Sequence, residues 1–113
     1  MQLIERDELK EKLARGNDFK LIMVLGDWAY RSKHIPGSLN FASVEDMHHL
    51  AKDDEIVVYC SDPNCIASRS AYQMLSAHGY TSVWRYAGGL NDWEEAGYAL
   101  EGTDVETYHH LVP

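Results

Sequence analysis

The chain has 113 residues, enough for one compact domain and too few for two, and its 45% hydrophobic and 25% charged content is typical of a folded protein. The formal net charge of −8 argues against nucleic acid and anionic membranes as partners, because both attract basic surfaces. The N-terminus is charged, no long apolar stretch is present and there are only two cysteines, so we expect no signal peptide, no membrane span and no disulfide scaffold. We expect a cytoplasmic location with reduced thiols.

The first predicted elements are a helix and a buried strand. Residues 5–15 place Leu9 and Leu13 on one helical face among charged residues, and Gly16 follows where such a helix would end. Residues 21–25 form a continuous apolar run instead of an alternating one. This pattern is typical of a strand that is buried on both faces.

The next segment predicts a loop, a short strand and a capped helix. Residues 26–37 indicate a loop with about one helical turn, and residues 38–41 a short strand. Ser43 and Asp46 then have the spacing of a capping box, with Asp in place of the usual Glu, which predicts a helix from residue 43 to about residue 51.

The second half of the chain continues the alternation. Residues 56–59 are apolar and mostly β-branched, which is the clearest strand pattern in the sequence, and they run directly into Cys60. Residues 68–78 predict a helix, residues 83–86 a strand and residues 90–96 a short helix. Strands that alternate with helices imply a parallel sheet covered on both faces, so the predicted fold class is α/β.

Cys60 occupies the position at which open α/β sheets bind ligands, the carboxyl end of a strand. The loop of residues 61–67 can turn its N–H groups toward the sulfur, and the positive end of the following helix also favours an anion. A thiolate held there would have a lowered pKa and could act as a nucleophile. A buried, unreactive cysteine fits the position equally well.

The segment of residues 34–38, the strand end at Tyr59-Cys60 and the helix of residues 68–75 stand in an order and spacing that resemble those of a rhodanese-like domain. The resemblance extends over nearly the whole chain, from about residue 5 to residue 102. His34-Ile35-Pro36-Gly37-Ser38 is similar to the family's His-Ile-Pro-Gly-Ala segment. The other matching positions are Asp7-Glu8-Leu9, Tyr59-Cys60, the helix 68–75, Gly79-Tyr80, Val83, Tyr86, Gly88-Gly89, Trp93 and Ala96-Gly97. The resemblance implies a five-stranded parallel sheet between helices. It also implies that Cys60 is the catalytic cysteine, which takes a sulfane sulfur as a persulfide and passes it to a thiol or other thiophilic acceptor.

The sequence departs from the family pattern at two places near the predicted site. The family strand end Asp-Val-Arg is replaced by Met23-Val24-Leu25. The active loop, usually Cys-x-x-Gly-x-Arg-Ser, is about two residues longer, so Ser68 takes the place of the serine and Ala67 that of the arginine. The loop resembles a variant with Cys-x4-Cys-x-x-Ser spacing.

The missing arginine affects the chemistry to be expected. Phosphatases of this fold use Cys-x5-Arg to hold a tetrahedral dianion, and Ile66 stands at that position here, so phosphatase activity is not expected. A less cationic pocket also disfavours thiosulfate relative to a persulfide. Arg69 could lean toward the site, although a solvated surface position suits it better.

Cys65 adds a second sulfur to the loop. It could form a disulfide with Cys60, resolve a persulfide or sulfenate, or carry sulfur itself. Alternatively, Cys65 has only a structural role, as a small apolar side chain that fills the loop and faces the core.

The other loop residues have both functional and structural interpretations. Ser61, Asn64 and Ser68 could donate hydrogen bonds to the thiolate, although helix capping is the stronger expectation for Ser68. A carboxylate at Asp62 would raise the thiol pKa, but a turn over Asp62-Pro63-Asn64 is the favoured interpretation.

Histidine and aromatic residues are expected to be structural. Zinc ligation by Cys60 and Cys65 with His78, or by the pairs His48-His49 and His109-His110, lacks the spacing of a known finger, so no metal or other cofactor is expected. His34 is expected to hold the loop before Pro36. The aromatic residues expected in core and rim packing are Trp28, Tyr30, Tyr72, Tyr80, Trp84, Tyr86 and Trp93.

These observations predict a single rhodanese-like domain over residues 1–113, with a core of residues 5–102 and a C-terminal extension of residues 103–113. We expect a sulfurtransferase in which Cys60 is the nucleophile, the N–H groups of residues 61–67 hold its charge and Cys65 assists or resolves. The partners would be a small sulfur donor and a thiol acceptor, either small or protein-borne. Two alternatives stay open: a catalytically silent module that binds a partner, which the missing arginine favours, and a dithiol–disulfide redox sensor.

Overall fold

The computed structural model describes residues 1–16 and 18–105. Short helices alternate with strands, as the sequence predicts. In chain order the elements are α1 (Arg6–Ala14), β1 (Lys20–Met23), α2 (Asp27–Ser32), β2 (Leu39–Asn40), a 3₁₀ helix (Val44–His49), β3 (Glu55–Tyr59), α3 (Ile66–Ala77), β4 (Ser82–Tyr86) and α4 (Gly89–Glu95).

The strands form one parallel sheet in the order β2-β1-β3-β4. At the carboxyl ends, Tyr59 of β3 lies between Met23 of β1 and Tyr86 of β4. The chain segments that leave β1, β3 and β4 therefore start from one edge of the sheet, which is where parallel folds place their sites.

The sheet of the described residues has four strands and not the expected five. At the free edge of β4, Leu3 forms a single parallel bridge with Arg85. The N–H of Ile4 donates to the Arg85 carbonyl oxygen at 3.0 Å, and the N–H of Arg85 donates to the Gln2 carbonyl oxygen at 2.9 Å. Glu5 is already the N-cap of α1, so the chain leaves the edge of β4 two residues after this bridge.

Alternation along the strands divides the core between the two faces of the sheet. One face packs against α1 and α4 and contains Leu9, Leu21, Met23, Val57, Tyr59, Tyr86 and Trp93. The other packs against α3 and the 3₁₀ helix and contains Ile22, Leu50, Ile56, Val58, Leu75, Tyr80 and Val83. The result is the three-layer arrangement that a buried parallel sheet requires.

Two local expectations need correction. The segment predicted as a helix over residues 43–51 is a 3₁₀ helix over Val44–His49. Its predicted start is present, because Asp46 Oδ2 accepts the N–H of Ala42 at 2.9 Å and the N–H of Ser43 at 3.2 Å. Trp28, expected to pack in the core or at its rim, is 84% exposed. It stands in the first turn of the six-residue helix α2, none of whose residues is buried.

No helix within residues 1–16 and 18–105 has the length and apolar character needed to cross a membrane. The predicted extension of residues 103–113 falls mostly outside the described residues, which end at residue 105. The His109-His110 pair lies outside them as well.

Candidate active site

Cys60 follows the central strand β3 directly and is buried. Its carbonyl oxygen accepts the N–H of Leu90 at 2.8 Å, and the carbonyl oxygen of Ser61 accepts the N–H of Asn91 at 2.9 Å. These two hydrogen bonds attach the beginning of the loop to the first turn of α4. The backbone at the predicted nucleophile is therefore held by two elements, the strand before it and the helix across from it.

Gly89 makes this close contact possible. Its φ is +71°, and a Cβ atom there would lie 2.7 Å from the Cys60 carbonyl oxygen and 2.8 Å from the Ser61 carbonyl carbon. A side chain would thus meet rigid backbone in addition to adopting an unfavourable φ. The Gly88-Gly89 motif consequently serves the site as well as the turn.

A disulfide joins Cys60 to Cys65, with the two Cα atoms 6.5 Å apart. It contains both cysteines of the chain, so the reduced thiols expected from the sequence are not the state in this structure. Among the alternatives for Cys65, pairing with Cys60 is the one observed. The loop geometry therefore permits direct sulfur-to-sulfur chemistry between them.

Ser68 does not cap α3 as expected. The helix begins at Ile66, two residues earlier than predicted, so Cys65 takes the N-cap position and Ser68 enters the first turn as a buried residue. Its Oγ lies 3.5 Å from the Cys60 Sγ and accepts a hydrogen bond from Arg85 Nε at 2.9 Å. Ser68 thus links the sulfur to an arginine of the neighbouring strand.

Arg85 is the site residue that sequence analysis missed. It lies in β4 on the face of Val83, is 4% exposed, and donates from Nη2 to the Pro63 carbonyl oxygen at 3.2 Å. Burial, and then the positive charge of Arg69, lower the pKa of the guanidinium. A charge inside an otherwise apolar strand, in alternation with a core valine, was the available signal.

The turn predicted at Asp62 is present. Asp62 Oδ1 accepts the N–H of Asn64 at 2.8 Å, and its carbonyl oxygen accepts the N–H of Cys65 at 3.1 Å. The expectation that all N–H groups of residues 61–67 face the sulfur is therefore wrong for these two. The N–H groups of Ile66 and Ala67, in the first turn of α3, have no acceptor within the helix.

The other loop side chains are half-buried or exposed. Ser61, Asp62, Cys65 and Ala67 are half-buried, whereas Pro63, Asn64, Ile66 and Arg69 are exposed. Ile66 and Arg69 accordingly form the outer surface of the loop, and the solvated position weighed for Arg69 is the one it occupies.

The segment from His34 to Ser38 supports the strand end from the opposite face. The N–H of Ile35 donates to the Tyr59 hydroxyl at 3.0 Å, and Ser38 Oγ lies 2.9 Å from the same hydroxyl. Burial raises the pKa of Tyr59 to about 12. His34 stacks on Tyr30 and places Nδ1 2.7 Å from its carbonyl oxygen, so its contacts are structural.

An apolar cavity of about 210 Å³ lies between the sheet and α3. Its lining includes Ala67, the last residue of the active loop, and Val58 of β3. The other lining residues are Ile22, Val24, Phe41, Ala42, Ser43, Met47, Ser70, Ala71, Met74 and Leu75. Its walls are suited to an apolar group. Within the described part of the chain, no three His, Cys, Asp or Glu side chains are grouped as metal ligands would be.

The fold and this site define a class of protein: a parallel α/β domain with a sulfur site at the carboxyl end of its central strand. The sequence profile of the Rhodanese-like domain matches residues 5–96, and the chain belongs to that family. A search of curated proteins found no match.

Solved structures agree with the family assignment. The rhodanese-like domain of the Alr3790 protein from Anabaena is 25% identical, with a TM-score of 0.83 over 94% of this chain and 83% of that one. The BH2092 protein from Bacillus halodurans is 22% identical, with a TM-score of 0.83 over 91% and 78% of the two chains. The human single-domain sulfurtransferase TSTD1 is 23% identical, with a TM-score of 0.70 over 84% and 96%. The last two likenesses establish the fold alone.

Proposed function

We propose that this protein is a sulfurtransferase that carries sulfane sulfur on Cys60. The observation that carries the proposal is the meeting of Cys60 and Cys65 at the carboxyl end of β3, beside the first turn of α3. Family membership and the human sulfurtransferase among the similar folds support it. Because acceptance of sulfur needs a free Cys60 thiol, the proposal also favours a reducing compartment such as the cytoplasm.

In the first step, the Cys60 thiolate attacks the outer sulfur of a persulfide donor. A sulfur–sulfur bond forms to Cys60, the bond within the donor breaks, and the donor leaves as a thiolate. A thiolate acceptor, small or on a protein, then takes the outer sulfur and returns Cys60 to its thiolate. Neither step consumes an external oxidant.

We place Cys65 as a resolving residue. Its thiolate can attack the Cys60 Sγ of the persulfide, so that the disulfide forms and hydrosulfide leaves. The bond between Cys60 and Cys65 in the structure corresponds to the product of this step. A thiol reductant would then restore both thiols.

A persulfide with an apolar body suits the site better than thiosulfate. Ala67 stands at the position of the family arginine, and Arg85 is too deeply buried to reach a dianion in solvent. The cavity beside the loop offers apolar walls instead. The acidic net charge likewise argues against nucleic acid and anionic membranes as partners.

The direct test is the intact mass of the reduced protein after exposure to polysulfide and, in parallel, to thiosulfate. We expect polysulfide to add one sulfur atom at Cys60, removable by a thiol and located by peptide mapping. Cys60→Ser should take up none, whereas Cys65→Ser should keep the added sulfur longer because the resolving thiol is gone. Full sulfur transfer by Cys60→Ser would contradict the proposal.

A redox sensor is the second candidate, because the disulfide is itself one of its two states. In the same experiment it predicts loss of two hydrogens between Cys60 and Cys65, with no gain of sulfur at any time. No change with either donor would instead favour a silent binding module.

A further inference from the structure

Arg85 carries a buried charge for which the described residues provide no acidic partner. Its guanidinium donates to the Ser68 hydroxyl and to the Pro63 carbonyl, both neutral oxygens. The ion pairs found within residues 1–16 and 18–105 do not include it. Buried charges are normally paired, because removal from water is costly. Among the residues that the structure describes, the guanidinium therefore has neutral hydrogen-bond acceptors and no counter-charge.

The sulfur of Cys60 is placed to supply that charge. Ser68 Oγ accepts from Arg85 Nε at 2.9 Å and lies 3.5 Å from Cys60 Sγ. Since its oxygen is occupied by the guanidinium, the hydroxyl proton can point at the sulfur. With Cys60 reduced, a thiolate or persulfide anion would complete the series Arg85–Ser68–Cys60.

Two further features agree with this arrangement. After burial, the described residue that lowers the pKa of Arg85 is Arg69, a like charge, so an anion at Cys60 would offset an existing repulsion. The loop itself has Ala67 at the position of the family arginine. A cation from β4 therefore stands behind a loop that lacks its own.

We infer that Arg85 is the positioning residue that replaces the loop arginine and, acting through Ser68, stabilises anionic sulfur on Cys60. The inference rests on the proposed function of Cys60 as a sulfur carrier. The positive charge that the loop lacks is thus supplied by a residue in the interior of the domain. It also explains why an arginine interrupts a core strand.

The test measures the pKa of Cys60 in the full chain with Cys65→Ser, which leaves one thiol and no disulfide. The rate of alkylation by iodoacetamide is followed from pH 5 to pH 10 by mass spectrometry. We expect Arg85→Gln to raise the thiol pKa by about one unit, which slows alkylation about tenfold below that pKa. Arg85→Lys, which keeps the charge, should restore most of the wild-type value.

Arg15→Gln is the matched control, because it removes the same charge from an exposed site at the end of α1. An unchanged Cys60 pKa in folded Arg85→Gln would overturn the inference, as would a rise in Arg69→Gln that equals or exceeds it. If Arg85→Gln does not fold, Ser68→Ala decides in its place: we expect a raised pKa, and an unchanged one overturns the inference. No sulfur donor is used, so failure here is distinct from failure of wild-type protein to accept sulfur.

Discussion

At the scale of single residues, Tyr59 connects the strand before Cys60 to the segment beside it. Its hydroxyl is buried, receives the N–H of Ile35 and contacts Ser38 Oγ. Tyr59 and Ile35 are fully buried, and Ser38 is 4% exposed. One oxygen atom therefore satisfies two buried polar groups.

We predict that Tyr59→Phe lowers the free energy of unfolding by about 1–3 kcal/mol, because the Ile35 N–H is left unsatisfied in the interior. Urea denaturation followed by circular dichroism gives the value. Tyr72→Phe is the control, since the Tyr72 hydroxyl accepts the exposed N–H of Gln2, which water can replace. Equal losses in the two variants would contradict the prediction.

Gly89 allows a second prediction at this scale. Gly89→Ala should cost more than about 2 kcal/mol, because the new Cβ meets the backbone of Cys60 and Ser61 in addition to the strain of a positive φ. Gly16→Ala is a close control: its φ is also +71°, but nothing lies within 4 Å of the new Cβ. The difference between their free energies of unfolding measures the contact with the active loop. A difference near zero would show that the contact is unimportant.

At the scale of elements, the 3₁₀ helix begins with a cap that the sequence predicts. Asp46 accepts N–H groups from both Ala42 and Ser43. We predict that Asp46→Ala costs about 0.5–2 kcal/mol of stability in urea denaturation. Glu45→Ala, which removes the same charge from the same turn, should cost less. If both cost the same, charge alone accounts for the effect.

The sequence predicted the strands better than the form of the helices. Residues 21–25 and 56–59 are apolar runs whose strand character is local, and β1 and β3 lie there. The capping pattern at Ser43 marks where a helix begins, but it does not distinguish α from 3₁₀ hydrogen bonding. The prediction of a fifth strand was wrong, because α1 begins three residues after the single bridge between Leu3 and Arg85. The position of that bridge is visible only in the folded structure.

The candidate site was predictable in part for the same reason. Cys60 was found because a strand end is a local feature. The contact of Arg85 with Ser68 joins residues 17 positions apart on different elements, and no local pattern encodes it. The position of Ser68 inside α3 followed from a helix start two residues earlier than expected.

At the scale of the whole molecule, buried tyrosines make the fold sensitive to high pH. The pKa of Tyr59 is raised by burial to about 12, and burial raises that of Tyr86 further, helped by its hydrogen bond to Asp92. Unfolded tyrosine ionises near pH 10, so the folded state resists ionisation that the unfolded state permits. The contribution to stability is complete below pH 10 and is lost as the pH rises through the folded pKa.

We predict a loss from Tyr59 alone of about 1.4 kcal/mol in the free energy of unfolding between pH 8 and pH 11. Urea denaturation at the two pH values measures it. Tyr59→Phe should be less stable at pH 8 but should lose less on going to pH 11. The same decrease in both proteins would show that Tyr59 does not contribute.

The exposed Trp28 gives the protein an optical reporter of its own. Trp28 follows β1, the sheet neighbour of β3, so it lies at the edge of the sheet where the loop of Cys60 begins. Trp93, in contrast, is buried in the core on the face of α1 and α4. The third tryptophan, Trp84 of β4, is half-buried, so the three indoles differ in exposure and Trp28 is the one most open to water. A macromolecule that covers this edge would shift the emission of Trp28 and shield it from a dissolved quencher, with no label added, while Trp93 serves as an internal reference.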